Sequence, residues 1–134
     1  MSARQVVFTP SQLLEFVSLD ENLKSIFMET VECWPESEDL VVTCIHRSYA
    51  EDDAIGGSGI HAVGPPYRAI DVRIGNLDAD PTQAQVKAEE VASTLNNRWA
   101  YDPGRLNLMV AVAKPHGTGP HLHLQVHPNT ARRT

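Results

Sequence analysis

The sequence predicts an α+β fold, a small and mostly antiparallel sheet packed against helices. Two observations carry this. Residues 120–127, Pro-His-Leu-His-Leu-Gln-Val-His, alternate apolar and polar side chains as a half-buried strand does. Residues 80–99 open on Asp-Pro-Thr-Gln, a helix start, and carry Ala84, Ala88, Val91, Leu95 and Trp99 as one helical stripe. Apolar runs near 40–46, 68–74 and 107–113 supply the remaining strands.

A chain of 134 residues suits one domain, residues 1–134, with an N-terminal helical segment at 1–35 and a core at 40–127. The net charge of −6 argues against nucleic acid as a partner, because phosphate binding needs a basic surface. No apolar run reaches membrane-spanning length. The N-terminal residues lack the apolar stretch of a secretory signal, so action outside the cytoplasm would imply delivery by another component. Cys33 and Cys44 have no CxxC spacing and read as reduced and buried.

Thr9-Pro10-Ser11-Gln12 is a capping box, and Leu13, Leu14, Phe16 and Val17 follow it. Ser18-Leu19-Asp20-Glu21 fits a second box, before Leu23, Ile26, Phe27, Thr30 and Val31 at helical spacing. Two short helices, or one broken helix, lay one face on the core. Leu40 to Ile45 reads as a buried strand that runs into His46-Arg47-Ser48-Tyr49. Residues 50–60 read as a flexible loop. In residues 68–74, Ile70, Val72 and Ile74 face one way, and Asp71 and Arg73 the other. An Asp in mid-strand is disfavoured, and a buried one needs a partner. Leu108 to Ala113 reads as a strand buried on both faces. Its short connector to the last strand makes the two antiparallel neighbours.

In the last strand Leu122, Leu124 and Val126 share one face, and His121, His123, Gln125 and His127 share the other. An imidazole binds metal through a ring nitrogen and exchanges a proton near neutral pH. The candidate metal ligands are His61, Asp71 and His123, with His121 beside them. Two His and one carboxylate hold zinc in catalytic sites that keep one position open to water.

Ser58-Gly59-Ile60-His61, then Arg68-Ala69-Ile70-Asp71-Val72-Arg73, then Gly119-Pro120-His121-Leu122-His123-Leu124-Gln125-Val126 resemble the hedgehog/D-Ala-D-Ala-peptidase superfamily. That superfamily includes D-alanyl-D-alanine carboxypeptidases and phage L-alanyl-D-glutamate endolysins. Ile45-His46-Arg47-Ser48-Tyr49 resembles its upstream strand followed by Arg-Ser. The resemblance spans about residues 40–127, in the family's order. It implies a hedgehog/DD-peptidase-like fold and Zn2+ held by His61, Asp71 and His123. It also implies that His121 acts as base or transition-state donor and that Arg47 holds a substrate carboxylate. The implied reaction is hydrolysis of a D,D- or L,D-linked peptide bond in peptidoglycan, by an endolysin-like enzyme or a component of a phage particle.

The chain departs from the pattern in three places, one of them Ser58, which stands three residues before His61 where the family has two. Pro65-Pro66-Tyr67 lengthens the turn between His61 and Asp71. The family's Glu three residues before the last metal His is replaced by Pro120, which leaves His121, with His116 as a second candidate, for the base. Two other readings follow. One is a zinc-containing binding module without turnover. The other rests on a likeness of His121-Leu122-His123-Leu124-Gln125-Val126 to the histidine-triad superfamily, which implies a nucleotide hydrolase or transferase.

Overall fold

A computed structural model describes residues 5–54, 59–114 and 119–134. Two helices come first, α1 (Pro10–Val17) and α2 (Glu21–Cys33), after a two-residue strand β1 (Val6–Val7). Thr9 caps α1 through the expected box with Gln12. The cap of α2 is Asp20, not Ser18, and its carboxylate accepts from the Asn22 and Leu23 amides. An aspartate at this position also places negative charge where the helix dipole is positive. Of the apolar residues in α1, Phe16 reaches the core, meeting Phe8 and Phe27 edge to face, whereas Leu13, Leu14 and Val17 are exposed. The expectation of a buried face on α1 is therefore met by one residue. Helix α2 buries Leu23, Ile26, Phe27 and Thr30.

The chain continues through β2 (Leu40–Cys44), α3 (Tyr49–Ala54), a 3₁₀ turn at Ile60–Ala62 and β3 (Ala69–Arg73). Then come α4 (Pro81–Arg98), β4 (Trp99–Ala100), β5 (Ala111–Lys114), β6 (His121–Gln125) and β7 (Ala131–Arg132). The first part of the 50–60 stretch is thus helix rather than loop, and residues 55–58 lie outside the described residues. The main sheet runs β1-β2-β3-β6-β5. Only the β1–β2 pair is parallel. β4 and β7 form a separate antiparallel pair.

Helices α2 and α4 cover one face of this sheet. Asp80 caps α4 through the Thr82 amide, and Pro81 sets its first turn. Ala84, Ala88, Val91, Ala92 and Leu95 form its buried stripe. The alanines let the helix lie close to the sheet; fully burying Leu95 contributes about 2 kcal/mol. Across from it, Ile70 and Val72 of β3 and Leu122 and Leu124 of β6 are fully buried. Leu19, Leu23, Ile26, Phe27 and Trp34 of the N-terminal segment belong to the same core.

Strand β5 differs from its expectation. It begins at Ala111 and is an edge strand, so Val112 is exposed and only its α4-facing side is buried. Asn96 of α4 holds it, accepting from the Val110 and Ala111 amides and donating to the Ala111 carbonyl. Cys33 and Cys44 are unpaired, and both are half-buried rather than buried.

Candidate metal centre

Asp71 and His123 face each other across β3 and β6, on the sheet face opposite α2 and α4. Strand alternation fixes this: the neighbours Ile70, Val72, Leu122 and Leu124 all point into the core. Asp71 is 6 % exposed and His123 4 % exposed, so their polar groups need partners within the protein. His123 Nδ1 lies 2.7 Å from Asp71 Oδ1. The other ring nitrogen, Nε2, lies 3.1 Å from Gln125 Oε1. That amide is oriented by its own Nε2, which donates to the Met109 carbonyl at 2.9 Å. Both nitrogens of His123 thus face oxygen acceptors, and a neutral imidazole has one N–H to offer.

His61 reaches the same carboxylate from the 3₁₀ turn. It is 3 % exposed. Nδ1 donates to the Ile45 carbonyl at 2.9 Å, which leaves Nε2 as the free nitrogen. Nε2 lies 3.1 Å from Asp71 Oδ2, yet it is buried without a hydrogen-bond partner. The two atoms are close enough for an ion pair when the ring is protonated, and close enough to share a cation when it is not. The backing of each ring also fits. A metal-bound histidine usually donates its second N–H to a carbonyl or carboxylate, here the Ile45 carbonyl for His61 and the Gln125 side-chain oxygen for His123.

Cys44, which the sequence reading did not place in the site, stands beside His61 and Asp71, and it is these three, without His123, whose ligand atoms are mutually close. A set of ligand atoms from Cys44, His61 and Asp71 lies within 4.8 Å of one another, a group able to hold a metal ion. Cys44 Sγ is 3.6 Å from His61 Nδ1. Strict alternation from Leu40 and Val42 would turn Cys44 toward the core. A bulge between Val42 and Cys44 shifts the register instead, so that Val42 pairs with Val72 and Cys44 pairs with Asp71. Nothing in the spacing of residues 40–45 signals that bulge.

Electrostatics follow from this geometry. Burial pushes the His61 pKa down, but the Asp71 carboxylate beside it, with a smaller contribution from Cys44, raises it to about 10. Burial alone would raise the Asp71 carboxyl; its contacts with His123 and His61 outweigh that and hold it well below the usual carboxylate range. Without metal the centre is a carboxylate bound to an imidazolium.

A cavity of about 280 Å³ opens beside Asp71, lined also by Thr43, Cys44, Arg47, Arg73, Gly119, Pro120 and His121. His121 lies two residues along β6 from His123, on the same face and opposite Arg73. Its Nδ1 is held by the Gly119 carbonyl at 2.8 Å, and its Nε2 lies 3.9 Å from Asp71 Oδ2. Arg47 reaches the cavity but is engaged: Nε and an Nη both donate to Asp52 Oδ1, at 3.0 and 2.9 Å. Arg73, which the sequence reading left outside the site, lines the same cavity, and no carboxylate pairs with it among the described residues. His116 lies outside the described residues. His46 packs its ring against Tyr67, and His127 its ring against Tyr101, both in tilted contacts.

The structure therefore brings His61, Asp71, His121 and His123 together, with Arg47 at the cavity wall. No family model, curated protein or solved structure matches the chain.

Proposed function

We propose that this protein is a zinc-dependent peptidase that hydrolyses a peptide bond in the stem or cross-link peptides of peptidoglycan. The observation that supports it most is the buried convergence of His61 Nε2 and His123 Nδ1 on the two oxygens of Asp71, at the edge of an open cavity. His61, Asp71 and His123 would hold the zinc, and Cys44 stands beside them. A zinc ion held there would supply Lewis acidity, to a bound water and to the peptide carbonyl. The Gly119 carbonyl fixes the Nδ1 proton of His121, so Nε2 is the nitrogen free to take and return a proton at the cavity. Arg73 and, beyond its bond to Asp52, Arg47 favour a substrate that carries a carboxylate.

The experiment is release of new amino groups from purified peptidoglycan fragments by the zinc-loaded protein. Release that stops with a chelator and returns with zinc supports the reading. Zinc binding without any release favours the binding module, for example in a phage tail. One observation favours that second reading: Asp71 is the only carboxylate lining the cavity among the described residues, so no Glu stands by as base. The nucleotide reading has less support. It accounts for residues 121–126 alone and leaves His61 and its contact with Asp71 without a role.

A further inference from the structure

Asp52 takes no part in the chemistry above, yet it is 2 % exposed, and a buried carboxylate is costly unless its oxygens are satisfied. Both oxygens are. Oδ1 accepts from the Arg47 guanidinium, and Oδ2 accepts from the Gly59 amide at 2.6 Å. These partners lie on two different segments. Arg47 follows the exit of β2, whose Ile45 carbonyl holds the His61 ring. Gly59, with a φ of 91°, opens the 3₁₀ turn that carries His61. A third bond joins the same two segments directly, from the Arg47 amide to the His61 carbonyl at 3.1 Å. One buried carboxylate therefore bridges the segments on either side of the metal-facing imidazole.

We propose that Asp52 is a positioning residue for the metal ligand His61, acting through Arg47 and the Gly59 amide. The inference rests on the metal-centre reading. It also changes the role of Arg47. The guanidinium is first a strut that holds Asp52, and only its remaining N–H groups face the cavity. Burial would raise the Asp52 carboxyl, but the Arg47 and Gly59 bonds hold it below the usual carboxylate range, so the bridge is charged at neutral pH. Helix α3 packs on the 3₁₀ turn and brings Asp52 to this position. Neighbouring Asp53 is exposed and serves as a control.

The test measures zinc affinity of the full chain by competition with a chromophoric chelator, together with the visible spectrum of the cobalt-loaded protein. Asp52→Asn is expected to weaken zinc binding about 10–100-fold, the usual cost of losing a group that orients a ligand, and to alter the cobalt spectrum. Asp53→Asn is expected to match wild type in both. Zinc affinity within about twofold of wild type for Asp52→Asn, with an unchanged cobalt spectrum, overturns the inference. If Asp52→Asn does not fold, Arg47→Gln decides: weakened zinc binding supports the bridge, and wild-type affinity overturns it. A wild-type chain that binds no zinc overturns the metal reading itself, and this inference with it.

Discussion

Asp71 and His123 occupy opposite positions of neighbouring antiparallel strands, and a 2.7 Å contact joins these two buried side chains at the edge of the cavity. The register that makes this contact also places Arg73 opposite His121, one pair further along the same face. Two strands thus present a carboxylate, two imidazoles and a guanidinium in a single array. The predictions below take that array apart one residue at a time.

His121→Ala is expected to keep one zinc per chain and to lower kcat on peptidoglycan fragments by about 10²–10⁴-fold, the usual weight of a general base. Metal analysis and steady-state rates on the same preparation check this. Loss of zinc together with activity would make His121 a ligand instead.

Arg73→Gln is expected to raise KM about 10–100-fold for a peptide with a free carboxylate, the equivalent of one charge-assisted hydrogen bond. The amidated form of the same peptide should be affected little. Because Arg73 is exposed on the sheet face, its replacement should leave thermal unfolding unchanged.

Cys44→Ser tests the ligand set. The free nitrogens of His61 and His123 both face Asp71, so the variant is expected to retain zinc, with affinity lowered by no more than about tenfold. Zinc lost from Cys44→Ser and kept in His123→Ala would assign the centre to Cys44, His61 and Asp71.

The pH dependence follows from His61. Its pKa is raised to about 10 in the folded, metal-free protein, against an ordinary value near 6.5. A raised histidine pKa stabilises the fold fully below the unfolded value, and that stabilisation fades as pH rises toward the folded one. Metal-free protein is therefore expected to lose stability between pH about 6.5 and about 10, and His61→Gln to flatten that slope. Urea unfolding at a series of pH values measures it. Zinc displaces the same proton, so calorimetry at pH about 7.5 in buffers of different ionisation enthalpy should show about one proton released from His61 per zinc.

Much of this arrangement is legible in the residues themselves. The Asp80 cap with Pro81, and the spacing of Ala84, Ala88, Val91 and Leu95, define α4 without reference to anything distant. The alternation of residues 121–125 sets which side chains of β6 meet the core and which meet Asp71. What stays hidden depends on long-range contacts. Cys44 reaches the centre through a bulge, which shifts pairing without altering the hydrophobic pattern. Val112 is exposed because β5 has a neighbour on one side only, a property of strand order rather than of composition. Residues 49–54 are polar enough to read as loop, and the helix there buries Asp52 alone. That single burial makes sense only once Arg47 and Gly59 are seen to flank it.

The central claim, that His61, Asp71 and His123 bind one metal ion, is tested most directly by elemental analysis of the purified protein beside Asp71→Ala and His123→Ala. The account predicts about one zinc per wild-type chain and loss of it in both variants. Wild-type protein that takes up no zinc when zinc is offered, or variants that hold it as firmly as wild type, would contradict it.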